Sequence, residues 1–279
     1  MIVCTTASEL QQLINKTRKD NDSIGFVPTM GALHEGHLSL IEQSARENKI
    51  TVCSIFVNPI QFNNPEDLIK YPRTPEKDIA LIEKSCQILF MPSVEEMYPT
   101  EAEEKFSFGT LETVMEGAFR KGHFNGVAVV VSRLFNMVMP DKAYFGEKDF
   151  QQLQIIKSMT KQLKMPIEII GCDIIREADG LAMSSRNVRL SASERALAPK
   201  IFQILSSCSS KTKINTPSEI IDFAVGQFNI TPEFKIEYIE IAEEESLNKI
   251  TTFNPHSKTR MFIAVWLGGV RLIDNISLN

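Results

Sequence analysis

Two histidines three residues apart, His34 and His37, sit among small residues just after the apolar run 24–27 (IGFV). The segment 28–37 reads PTMGALHEGH. A strand that ends in a turn and opens a helix aims unpaired backbone N–H groups at an anion. Imidazoles at i and i+3 share one face of such a helix. Gly31 and Gly36 offer places where the backbone can approach a ligand that a Cβ would block. The chemistry this suits is binding of a nucleotide triphosphate for attack at its α-phosphate. A metal site is the rival reading of a histidine pair, but no third His or Cys and no carboxylate cluster nearby completes a ligand set.

Further candidates lie downstream. Residues 146–149 read GEKD, where Lys148 offers a mobile cation. Asp149 could hold Mg²⁺ through water or bind a ribose hydroxyl. Residues 183–187 read MSSRN, in which two hydroxyls and a guanidinium suit a triphosphate tail. Gln61 and Gln152 fall just past expected strand ends, where open parallel sheets bind ligands. Each offers a donor and an acceptor without charge to a small polar substrate. Residues 120–124 (RKGHF) combine three potential cations with a glycine hinge and could close over a phosphate or carboxylate. Taken singly, each of these is also what a solvated turn or surface position looks like.

The elements that must position them follow from periodicity. Leu10, Leu13 and Ile14 mark a helix over 7–20, and Leu38, Ile41 and Ala45 a helix over 37–48. Residues 24–28, 51–57 and 88–90 read as buried strands, with a helix near 75–86 between the last two. A long apolar helix is expected over 125–139, a strand at 143–145, a helix over 149–163 and a strand at 167–170. This alternation favours an α/β fold with a parallel sheet. Beyond residue 175 the character changes. Ser191 is a candidate N-cap for a helix to about 209, 210–217 reads as a loop, and 236–242 and 260–266 read as strands. Two domains are expected, 1–175 and 176–279.

Composition sets limits. The chain has 279 residues, 43% of them hydrophobic, and a formal net charge of -5. The acidic balance and scattered basic residues argue against nucleic acid as a partner. No apolar run approaches a membrane span, and the first residues show no secretory pattern. The five cysteines are odd in number and widely spaced, as expected of reduced thiols in the cytoplasm.

Together the histidine turn, the GEKD turn and MSSRN resemble the signatures of class I aminoacyl-tRNA synthetases and related nucleotidylyltransferases. The longer strings are closer to one family. Segments 28–37, 56–62 (FVNPIQF), 71–74 (YPRT), 122–126 (GHFNG), 145–152 (FGEKDFQQ) and 183–187 resemble the pantoate–β-alanine ligases. The resemblance implies ATP-dependent joining of (R)-pantoate and β-alanine through a pantoyl adenylate, with release of AMP and pyrophosphate. It implies a Rossmann-like N-terminal domain, a smaller α+β C-terminal domain acting as a lid, Mg²⁺ and a homodimer. It places Met30, Gly31, Ala32, Leu33, His34, Glu35, Gly36 and His37 at ATP. With them it places Gly146, Glu147, Lys148, Asp149, Ile175, Met183, Ser184, Ser185 and Arg186. His34, His37 and Lys148 would be catalytic, and His37 is viewed as a proton donor, although a helix N-terminus favours a neutral imidazole donating one N–H. Gln61 would meet pantoate and β-alanine, Gln152 would meet pantoate, and Asp78 is a Mg²⁺ candidate.

Overall fold

The computed structural model describes residues 1–63 and 65–278. Strands β1 (Ile2–Cys4), β2 (Ile24–Thr29), β3 (Ile50–Ile55), β4 (Ile88–Phe90), β5 (Lys142–Gly146) and β6 (Glu168–Cys172) form one sheet. Its order is β1-β4-β3-β2-β5-β6, and every pairing is parallel. Among the described residues the helices are α1 (Ala7–Thr17), α2 (Glu35–Glu47), α3 (Pro65–Lys70), α4 (Pro75–Ile82), α5 (Val94–Met97), α6 (Met115–Phe119), α7 (His123–Val138), α8 (Phe150–Gln162), α9 (Ala192–Leu197), α10 (Lys200–Ser209) and α11 (Pro217–Asn229). A second, antiparallel sheet joins β7 (Phe234–Glu243), β8 (Thr259–Leu267) and β9 (Val270–Ser277). The architecture is therefore a Rossmann-like parallel sheet with helices, followed by a smaller α+β unit. No described helix is long and apolar enough to cross a membrane.

The parallel sheet is buried on both faces, which is why its strands read as continuous apolar runs rather than alternating ones. On one face Phe26, Val52 and Phe90 pack with Leu10, Val127, Phe135 and Ile156. On the other, Val27, Cys53 and Leu89 pack with Ile41 and Ile82. The long apolar helix expected over 125–139 is α7, and it is core: Val127, Ala128, Val131, Leu134, Phe135 and Val138 are all buried, and Phe135 meets Phe26 edge-on.

Several boundaries moved for local reasons. The helix expected from Ser191 to about 209 is two helices. Ser191 caps α9 with a full capping box, but Pro199 has no N–H and breaks the ladder before α10. No element was expected over 218–229, yet α11 carries a clear start there: Thr216 caps it, Pro217 is its first residue and Glu219 completes the box. The outer strand β9 was also unread. Asp274 and Asn275 interrupt its apolar pattern because both are buried for polar reasons.

The strand order places the site. Neighbours of β2 lie on both sides, β3 to one and β5 to the other. The chain winds in opposite directions from this point, and a crevice opens at the strands' carboxyl ends. The loops after β2, β3, β5 and β6 all start there.

Candidate active site

A cavity of about 230 Å³ occupies that crevice. Met30, His34, Gly36 and His37 line it from the β2 loop. Gln61 comes from the β3 loop, and Gly146, Lys148, Asp149 and Gln152 from the turn after β5. Ile175, Met183, Ser184, Ser185 and Arg186 line it beyond β6. These segments are far apart in the chain, and the pairing of β2 with both β3 and β5 brings them together.

The histidines are built into the start of α2. His34 is the N-cap, in an extended conformation, and its Nδ1 accepts from Gly36 N–H at 3.2 Å. His37 Nδ1 accepts from His34 N–H at 3.3 Å. Both rings therefore accept at Nδ1 and keep the proton on Nε2, so each presents an N–H donor. The rings lie 4.1 Å apart between centroids. Burial, then Lys148, lower the His34 pKa to about 4. Burial, then His34 and Lys148, lower that of His37 to about 3. Of the two forms considered for His37, the neutral donor is the one this geometry supports.

Gly36 lines the cavity and has a further structural reason. A Cβ there would stand 2.9 Å from the His34 ring, so the glycine makes room for the capping imidazole. Gly31 sits at φ +79° with Asp78 and Ile55 against it, so it shapes the loop. Ala32 and Leu33 do not line the cavity. Their N–H groups donate to Asp78 at 2.9 and 2.8 Å, and Thr74 Oγ1 adds a third donor at 3.0 Å. Asp78 is thus corrected as a Mg²⁺ candidate: it is 2% exposed and its oxygens are committed to the loop. Glu35 is exposed and also lies outside the cavity lining.

Lys148 is aimed by the antiparallel sheet. Asn275 Nδ2 donates to the carbonyls of Glu147 and Lys148 at 2.9 and 3.0 Å. Glu147 turns away from the cavity to Arg260, 3.0 Å distant, which corrects its assignment to ATP. Arg260 also holds Glu244 and stacks on Phe150. Among the described residues Lys148 Nζ itself keeps only a 3.9 Å approach to Asp149.

Gln61 is held by a relay. Tyr98 donates to Asn58 Oδ1 at 2.7 Å, and Asn58 Nδ2 donates to Gln61 Oε1 and Gly126 O, both at 3.1 Å. Gly126 lets α7 abut this loop; a Cβ there would lie 2.7 Å from Ile60 O. Gln152 makes no side-chain hydrogen bond among the described residues. Of the segment 120–124, Arg120 and His123 reach the cavity. His123 is not a cation: burial, then Arg120, lower its pKa to about 4, and its Nδ1 pairs with Gln61 O at 2.9 Å. Lys121 is exposed.

The MSSRN loop is anchored on both sides. Met183 N–H donates to Ile175 O at 3.0 Å, and Arg176 bridges Ala182. Tyr71 Oη lies 3.4 Å from Ser185 Oγ. Arg186 pairs with Asp67 at 2.9 Å, and Arg189 pairs with the same carboxylate at 3.1 Å. Burial raises the Asp67 pKa, but the two guanidinium groups outweigh it and hold the carboxyl below its ordinary value. Nothing in the motif pattern marked Asp67, Tyr98 or Asn275, because each acts through a partner remote in sequence.

Three desolvated neutral histidines, His123 buried and His34 and His37 half-buried, have a consequence for acid stability. Their unfolded value is near 6.5 and their folded values are lower. Below pH 6.5 the unfolded chain takes up protons that the folded chain refuses. The stability they confer is therefore complete above about pH 6.5 and is lost as pH falls toward 4. Each group contributes a slope of at most about 1.4 kcal/mol per pH unit. Urea midpoints of the nucleotide-free protein should drop between pH 7 and pH 5, above the range of ordinary carboxylates. Equal midpoints at both pH values would show that these rings protonate freely in the fold.

The family model described as pantoate-beta-alanine ligase matches residues 2–277. The pantothenate synthetase of Porphyromonas gingivalis is 50% identical over 277 residues, 99% of each chain. That of Bacteroides fragilis is also 50% identical, over 99% of this chain and 98% of its own. The crystal structure of pantothenate synthetase from Thermus thermophilus superposes with a TM-score of 0.93 at 40% identity, over 100% of this chain and 99% of that one. The pantoate-beta-alanine ligase of Francisella tularensis, complexed with beta-gamma ATP and beta-alanine, gives 0.81 at 35% identity, over 100% and 98%. The chain belongs to the pantoate–β-alanine ligase family and is an enzyme of that class.

Proposed function

We propose that the protein joins (R)-pantoate to β-alanine with ATP, through a pantoyl adenylate. The observation that carries this reading is the convergence of neutral imidazole donors, a lysine and the Ser184–Arg186 hydroxyl–guanidinium run on one cavity that also holds Gln61 and Gln152. That set suits charge stabilisation at phosphate beside a small polar acid, without a covalent nucleophile.

In the first step a pantoate carboxylate oxygen attacks the α-phosphorus. The bond to the β-phosphate oxygen breaks and pyrophosphate leaves with the electron pair. His34 and His37 donate Nε2–H to the developing phosphorane, while Lys148, Ser184, Ser185 and Arg186 carry the β,γ-phosphates. Asp149 takes the ribose, and the backbone at Gly146 and Ile175 borders the nucleoside. Gln61 and Gln152 hold pantoate. In the second step the free amine of β-alanine attacks the acyl carbon, the acyl–oxygen bond to AMP breaks, and the nitrogen sheds its proton to solvent. Gln61 contacts β-alanine, and Arg120 supplies the cation for its carboxylate. Among the described residues no group of three or more His, Cys, Asp or Glu could hold a metal. Mg²⁺ bound with ATP would neutralise charge on the phosphates, beside Lys148 and Arg186.

The same reading divides the chain at 175/176, with residues 176–279 as the lid, and describes a cytoplasmic homodimer. All five cysteines are free thiols, which suits a reducing compartment.

The deciding experiment identifies the nucleotide product from ATP, Mg²⁺, pantoate and β-alanine, with each organic substrate omitted in turn. Multiple turnovers of AMP and pyrophosphate only with both substrates are expected. ADP as product would mean phosphoryl activation and would overturn the α-phosphate chemistry.

A further inference from the structure

Arg186, a phosphate ligand in the reading above, already has an anion of the chain's own against it. Asp67 Oδ2 lies 2.9 Å from Arg186 Nη2, and Oδ1 lies 3.1 Å from Arg189 Nη1. One carboxylate therefore engages two guanidinium groups of the loop that begins at Met183. Arg186 also borders a second cavity of about 410 Å³ adjoining the first, and Asp67 lines that second cavity too. The ion pair thus stands where the two spaces meet.

The element carrying Asp67 is lightly held. No residue of α3 is buried, and Ile69 is 76% exposed. The contacts from this segment to the MSSRN loop are polar: Asp67 to the two arginines and Tyr71 to Ser185. Asp67 and Arg186 are each 27% exposed and Arg189 30%, and all three border the second cavity, so an anion entering it can reach both guanidinium groups. Pyrophosphate is a polyanion held by Lys148 and Arg186, and its departure leaves those cations unpaired unless another anion takes its place.

We propose that Asp67 is an internal competitor for polyphosphate: it yields Arg186 and Arg189 to the triphosphate and retakes them as pyrophosphate leaves. This makes Asp67 a positioning residue for product release, and it rests on the adenylate-forming reading.

The test compares the wild type with Asp67→Asn, Asp67→Ala and the charge-preserving Asp67→Glu. Binding of inorganic pyrophosphate alone is measured by calorimetry, and pyrophosphate formation is followed in the first and later turnovers. Removing the competitor in Asp67→Asn and Asp67→Ala should tighten pyrophosphate binding about tenfold, the scale of one or two partly exposed ion pairs. The first turnover should be kept and later ones slowed, while Asp67→Glu should resemble the wild type. Equal or weaker pyrophosphate binding in both neutral variants would overturn the proposal and leave Asp67 as a support that orients Arg186. A wild type that binds pyrophosphate yet makes no AMP from the full substrate set would instead sink the reading beneath it, a result independent of how the variants rank.

Discussion

Replacing Lys148 by alanine is expected to slow adenylate formation by about 10²–10³-fold while the protein stays folded, the usual cost of removing one preorganised charge donor. Lys148 lines the cavity, yet among the described residues its ammonium has only a 3.9 Å approach to Asp149. Its carbonyl, not its side chain, is what Asn275 grips. The turn should therefore survive the truncation, and the thermal midpoint should barely move. The charge also acts on its neighbours, because Lys148 helps to lower the pKa of both His34 and His37. Its removal should raise both. Rapid-quench measurement of pyrophosphate release with ATP and pantoate, beside a thermal melt, checks the prediction. A rate within threefold of wild type would remove Lys148 from the chemistry.

The second large effect is on stability. Asp78→Asn should cost about 2–4 kcal/mol, because a buried acceptor of three hydrogen bonds is replaced by a group with one acceptor and an NH₂. The N–H groups of Ala32 and Leu33 point at different carboxylate oxygens, so in the amide one of them faces an NH₂ in place of its acceptor. Ala32 holds φ +48° and Gly31 φ +79°, so this loop needs its anchor. Loosening it should also misplace His34, the next residue but one after Ala32. Urea unfolding without nucleotide should show the loss, and the Mg²⁺ concentration for half-maximal activity should stay within about twofold of wild type. If Asp78 instead held Mg²⁺, the metal requirement would rise steeply and the nucleotide-free stability would not fall.

The two results also separate what each level of description contains. That Lys148, His34, His37, Gln61 and Arg186 would meet in one cavity was legible because polar side chains just past strand ends face the crevice of an open parallel sheet, and strand ends can be read from apolar runs. The helices α1 and α2 were legible from apolar residues at helical spacing, and α7 from its long apolar run, which is buried nearly all round. Asp78 was misread because its type and position beside YPRT resemble a metal ligand, whereas its role depends on two N–H groups 45 and 46 residues earlier. Glu147 was misread in the same way, since Arg260, 113 residues on, claims its carboxylate.

Local sequence by itself determined most elements of the parallel-sheet unit, the signature turns and the two neutral glutamines near strand ends, because these depend on periodicity and residue chemistry within a few turns of chain. Only the tertiary structure decided which turns face one another, since that follows from β2 pairing with both β3 and β5. It also decided that the histidines are neutral, because desolvation is set by what covers a ring. It made Asp67 the partner of Arg186 and Arg189, for an ion pair across 119 and 122 residues exists only once the chain has closed.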